Sequence, residues 1–94
     1  MYMATWLDCE ISQGQFTGEY AVKARMFDET EFSLFVPRDC LNFSEEPSPN
    51  TSVHGLISVS VADRKDDLVL VHLPRPTFEN GRSITVKESQ LKPA

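Results

Sequence analysis

Phe32-Ser33-Leu34-Phe35-Val36-Pro37 is the stretch on which the fold turns. Phe32, Leu34 and Val36 alternate with smaller or more polar neighbours, so one side of an extended chain is apolar. That period of two belongs to a half-buried strand and not to a helix. Pro37 ends the strand, because proline has no amide to give to a ladder.

The same period continues toward the N-terminus. Asp28-Glu29-Thr30-Glu31 forms a short acidic hairpin loop, and before it Tyr20, Val22, Ala24 and Met26 alternate with Ala21, Lys23 and Arg25. Ser12-Gln13-Gly14-Gln15 supplies a further turn, preceded by Leu7, Cys9 and Ile11 on one face. Trp6, Asp8 and Glu10 take the other face. These segments make a first group of three strands.

Beyond Pro37 the pattern breaks. Arg38 to Phe43 fits a single helical turn with proline at its start. Ser44–Ser52 (SEEPSPNTS) is polar, holds two prolines and reads as a mobile loop. A connection as long as 37–52 is unusual in a small domain. Alternation then resumes with Ile57, Val59 and Val61 on one face, opposite His54, Leu56, Ser58 and Ser60. Asp63-Arg64-Lys65-Asp66-Asp67 is a charged hairpin loop, and Leu68–Leu73 (LVLVHL) is apolar enough to be buried partly on both faces. Pro74-Arg75-Pro76 interrupts it, Glu79-Asn80-Gly81-Arg82 marks a turn, and Ile84 and Val86 define a last strand. Glu88–Leu91 closes the chain as a turn, leaving a short tail at 92–94.

Residues 1–94 therefore read as one all-β domain: a single small six-stranded antiparallel barrel, SH3-like or OB-like, with two three-stranded groups joined by 37–52. A β-sandwich or curled open sheet is the alternative. An internal echo runs from Met26-Phe27-Asp28 through a hairpin to Val36-Pro37-Arg38, and again from Val61-Ala62-Asp63 to Leu73-Pro74-Arg75. It is ascribed to local chemistry, since hairpin loops favour Asp and strand ends favour Pro.

Charge narrows the function classes. The net charge is −5, with residues 1–34 contributing −4, residues 35–63 −3 and residues 64–94 +2. Phosphate binding relies on Lys and Arg, so net acidity argues against a nucleic-acid partner, and only the last third carries a basic surface. Met1-Tyr2-Met3-Ala4 lacks the basic and apolar regions of a signal peptide, and no run approaches the roughly 18 apolar residues of a membrane helix. A cytoplasmic protein with free thiols and no membrane association is expected.

Catalytic and metal-binding patterns are missing. Cys9 lies on the apolar phase of its strand, and Cys40 follows Asp39, whose charge disfavours a thiolate. Neither cysteine has the spacing of a zinc ligand. Acidic residues fall in turns without calcium-loop spacing, and Gly14, Gly18, Gly55 and Gly81 are isolated, so no phosphate-cradling loop is present. Asn42-x-Ser44 meets one element of the PilZ pattern, but Pro47 occupies the glycine position and no arginine pair precedes it. That pattern is not matched. No enzyme, no cofactor and no metal are expected.

Two binding surfaces are expected instead. Trp6, Phe35, Leu56 and Leu70 fall on the phase opposite the core, and large apolar side chains there suit a protein partner or a homodimer. The alternative uses Arg38, Arg75 and Arg82, which stand at strand exits and would hold an anionic small ligand or single-stranded nucleic acid if they converge. The first reading leads: a non-enzymatic module for protein–protein interaction or self-association.

Overall fold

The computed structural model describes residues 5–78 and 81–93. Met1–Ala4, Glu79, Asn80 and Ala94 fall outside them, as does half of the turn expected at 79–82. The elements are β1 (Thr5–Gln13), β2 (Glu19–Arg25), β3 (Glu31–Pro37), a 3₁₀ turn (Arg38–Cys40), β4 (Leu41–Asn42), β5 (Val53–Lys65), β6 (Leu68–Thr77), β7 (Gly81–Lys87), a second 3₁₀ turn (Glu88–Gln90) and β8 (Leu91–Pro93). All pairings are antiparallel, in the order β3-β2-β1-β5-β6-β7, with β4 added to β5 and β8 to β1.

The six main strands curl into a half-barrel, as the alternation of apolar residues requires. Single backbone bonds reach the outer strands. The Phe78 amide donates to the Ser33 carbonyl in β3, and the Phe27 amide donates to the Thr85 carbonyl in β7, each at 3.0 Å. Among the described residues no helix is long and apolar enough to cross a membrane.

The inner face holds Leu7, Cys9 and Ile11 of β1, Val22 and Ala24 of β2, and Phe32, Leu34 and Val36 of β3. Ile57, Val59, Val69, Val71, Leu73, Ile84 and Val86 complete it from the second group. Val61 keeps the expected inward phase, in register with the buried Val71, but is 38% exposed. The register of β5 against β6 shifts between Val61 and Asp63, a bulge that turns the end of β5 away from the core. In Leu68–Leu73, Val69, Val71 and Leu73 are buried, Leu68 and Leu70 are half-buried and His72 is exposed.

The two groups of strands repeat one plan. Leu41 lies against Ile57 and Leu91 against Leu7, so a shift of fifty residue numbers (41 to 91, 7 to 57) carries one closing contact onto the other. The same shift carries the first 3₁₀ turn onto the second. Ile11↔Val22 and Val22↔Leu34 correspond to Val61↔Val71 and Val71↔Ile84. The repeat is real, but it is not the echo expected from Asp and Pro. That echo aligns β2–β3 with β5–β6, whereas the structure relates β2–β3 to β6–β7. Each half also gives its short last strand away: β4 closes on β5 and β8 on β1.

The segment expected to be mobile makes several contacts with the first half. Gln13 Nε2 donates to the Pro47 carbonyl (3.1 Å), and the Tyr20 hydroxyl donates to Glu46 Oε2 (2.9 Å). Arg38 pairs with Glu46 at 3.3 Å and lies 4.6 Å from the centre of the Phe43 ring, which meets Tyr20. Pro47 is buried. Ser48 and Thr51 exchange two backbone bonds around Pro49-Asn50.

Gly55 sets how closely β4 approaches β5. A Cβ there would lie 2.4 Å from Ile11 Cδ1, 3.0 Å from the Asn42 carbonyl oxygen and 3.1 Å from Phe43 Cβ. Ile11 is itself fully buried, and the Asn42 backbone cannot shift without loosening β4. Gly55→Ala is therefore expected to destabilise by about 1–3 kcal/mol, the range for overpacking a filled site. Urea unfolding measures it, and an unchanged midpoint would mean that β4 yields freely.

Candidate functional site

The outer face carries the surfaces expected from the sequence, but at separate places. Trp6, Phe35, Leu56 and Leu70 are all half-buried. Trp6 faces Ser58 and Leu56 faces Asp8 across the β1–β5 ladder, so Trp6 and Leu56 are diagonal neighbours. Leu70 stands in register with Asp63 on one side and Thr85 on the other. Phe35 sits on β3 opposite Ala21. The register thus brings Trp6 and Leu56 together and leaves Phe35 and Leu70 on strands to either side.

Phe35 has a different aromatic neighbour. Its ring meets Phe78 edge-to-face, with centroids 5.2 Å apart and planes at 74°. The local chain explains the arrangement. Ala21 is too small to cover Phe35 from the neighbouring strand. Pro74 and Pro76 cannot donate to the ladder, and the register of β6 against β7 shifts between His72 and Thr77. The chain reaches β3 at this point, where the Phe78 amide bonds Ser33. Thr77 is buried, and its hydroxyl donates to the Gly81 carbonyl at 2.9 Å. Phe78 is thus tied at its backbone and braced by one ring, yet 66% exposed. Phe16, on the turn between β1 and β2, is 71% exposed. Hydrophobic alternation does not identify these two, since both lie outside the inner and outer phases of a strand.

The three arginines have separate neighbours. Arg38 is engaged by Glu46 and Phe43. Arg82 Nε donates to the Leu73 carbonyl at 3.1 Å, within the part of β6 where the ladder slips. Arg75 forms no ion pair among the described residues, and its charge acts on Cys40. Burial first and Asp39 second push the Cys40 thiol up, against the opposing pull of Arg75. Two of the three guanidinium groups are therefore already bonded within the fold.

A cleft of about 360 Å³ opens across β2, β1 and the start of β5, lined by Asp8, Glu10, Lys23, Arg25, His54 and Gln90 among others. Glu10 is flanked in register by Lys23 and His54. Lys92 Nζ is 3.6 Å from Asp8 Oδ2, and His54 Nε2 is 3.3 Å from Asp8 Oδ1. The His54 contact is not a hydrogen bond, and Asp8 Oδ1 has no hydrogen-bond partner among the described residues. Gln90 closes one side, donating to the Arg25 carbonyl and accepting from the Lys87 amide. The charges of the cleft are mixed, and Cys9 lines it with its thiol turned to the core. Burial, reinforced by Asp8, pushes that thiol from an ordinary 9.0 to about 12, the reverse of what a nucleophile needs.

Comparison with protein-family models, curated proteins and solved structures returns no match.

Proposed function

We propose that this chain is a non-enzymatic cytoplasmic binding module that engages a protein partner through aromatic side chains on its outer face, with Phe78 as the anchor and Phe35 as its brace. The single observation behind this reading is the exposure of a Phe78 ring that is already held in place. Rigid aromatic rings bury large area while losing little conformational freedom, which suits them to binding hot spots. Trp6 and Leu56, diagonal neighbours on β1 and β5, form a separate outer-face pair away from this anchor.

A photo-crosslinking benzoylphenylalanine in place of Phe78, irradiated in the producing cell, is expected to give a discrete protein adduct. Phe35→Ala should lower the purified partner's affinity about 30-fold, corresponding to roughly 2 kcal/mol at a hot spot. If probes at Phe78 and at Glu45 give the same adducts, or none, the aromatic surface is not the binding site.

A further inference from the structure

The two halves of the chain close only on each other, and one short turn joins them. We infer that a second copy of this chain can supply the missing half, giving a dimer in which residues 5–47 of one copy complete a barrel with residues 53–93 of the other. This exchange is independent of the aromatic surface proposed above.

β1 pairs with β5 over seven registered positions, from Thr5↔Val59 to Ile11↔Val53. β4 adds to β5, β8 adds to β1, and the bonds Phe78–Ser33, Phe27–Thr85 and Gln90–Arg25 all cross from one half to the other. The buried cluster draws on both halves. A half without its complement exposes this core and leaves its last strand unpaired. The same contacts form whether the complement belongs to its own chain or to another copy.

Only the hinge distinguishes the two arrangements. Its first part remains with the first half, through Gln13–Pro47, Tyr20–Glu46 and Arg38–Glu46. The chain reverses at Ser48-Pro49-Asn50-Thr51, where Ser48 and Thr51 exchange backbone bonds. Two-residue hairpin turns favour positive φ, because that twist matches the flanking strands. Proline fixes a negative φ, and neither Pro49 nor Asn50 has a positive one. The reversal therefore rests on two backbone bonds and a turn type that fits hairpins poorly. Once open, residues 48–52 extend roughly 16 Å at about 3.3 Å per residue, enough to lead into a neighbouring barrel.

The experiment uses the full chain with Cys9→Ala and Cys40→Ala, and with Glu10→Cys and His54→Cys. Glu10 and His54 face each other on the exposed side of the β1–β5 ladder, and antiparallel partners have Cα separations that a disulfide accepts. After refolding at millimolar concentration, the dimer fraction is isolated by size-exclusion chromatography, oxidised and run on a non-reducing denaturing gel. Exchange predicts covalent dimers, because the two cysteines then belong to different chains. Deleting Pro49 and Asn50 should make the dimer the main species. Pro49→Asn with Asn50→Gly should reduce it at least tenfold.

A dimer that yields only covalent monomers associates through its surface, and that result overturns the inference. So does a chain that refolds entirely as monomer at that concentration. The refolded chain with its natural hinge decides the matter even if the shortened hinge does not fold.

Discussion

Phe32→Ala is expected to destabilise the protein by about 3–5 kcal/mol, the usual cost of removing a buried ring and leaving a cavity. Phe32 heads the set of largest fully buried side chains and is 0% exposed. It stands opposite Ala24, a small residue whose site cannot collapse to fill the space. The repeat offers no compensation, because the position matching Phe32 in the second half is the exposed Arg82. A domain of this size has a total stability of roughly 5–14 kcal/mol, so the loss would take a large share of it. Urea denaturation should show a much lower midpoint at an unchanged slope, while Phe16→Ala, at an exposed turn, stays within about 0.5 kcal/mol. A cost below about 1 kcal/mol for Phe32 would mean that the core is not closed around it.

Stability should also fall steeply between pH 9 and pH 12, with Cys9 as a principal cause. The unfolded thiol ionises near 9.0, whereas in the fold burial and the adjacent Asp8 hold the proton until about 12. Below pH 9 both states are protonated and the contribution is complete. Above it the unfolded chain releases a proton that the folded chain keeps, so rising pH favours unfolding. Three pH units at about 1.4 kcal/mol each give a loss of roughly 4 kcal/mol. Tyrosines and lysines titrate in the same range, so the informative quantity is the difference between the parent and Cys9→Ala. The variant should have a flatter profile, and equal slopes would remove Cys9 from the account. In the folded protein at pH 8, a thiol reagent should modify Cys40 and spare Cys9.

Much of the fold was legible because side-chain alternation is a strong signal in sheets open on one face. Phe32, Leu34 and Val36 are buried as their spacing demands, and so are Leu7, Cys9 and Ile11. β4 and β8 escaped notice because two or three residues carry no period, and each follows a 3₁₀ turn whose residues suggest only a chain reversal. Val61 lies on the face its spacing demands, opposite Val71, but its exposure beside a bulge leaves no mark in composition. The repeat was obscured for a related reason: Asp and Pro report turn chemistry, while the true correspondence lies in buried pairs such as Leu7 with Ile57 and Val36 with Val86. At the surface, alternation identified Phe35 as outward-facing. It could not reveal that a chain segment following two prolines brings Phe78 against it.

The pairing of β8 with β1 also bears on synthesis. Leu7 meets Leu91, far along the sequence, so a nascent polypeptide cannot complete its first ladder until β8 has emerged from the ribosome. Until then β1 has one edge position unfilled, and β4 waits for β5. Such sequence-distant closure slows folding. It also makes the interval before β8 emerges the period in which crowded nascent chains have most opportunity to pair with one another.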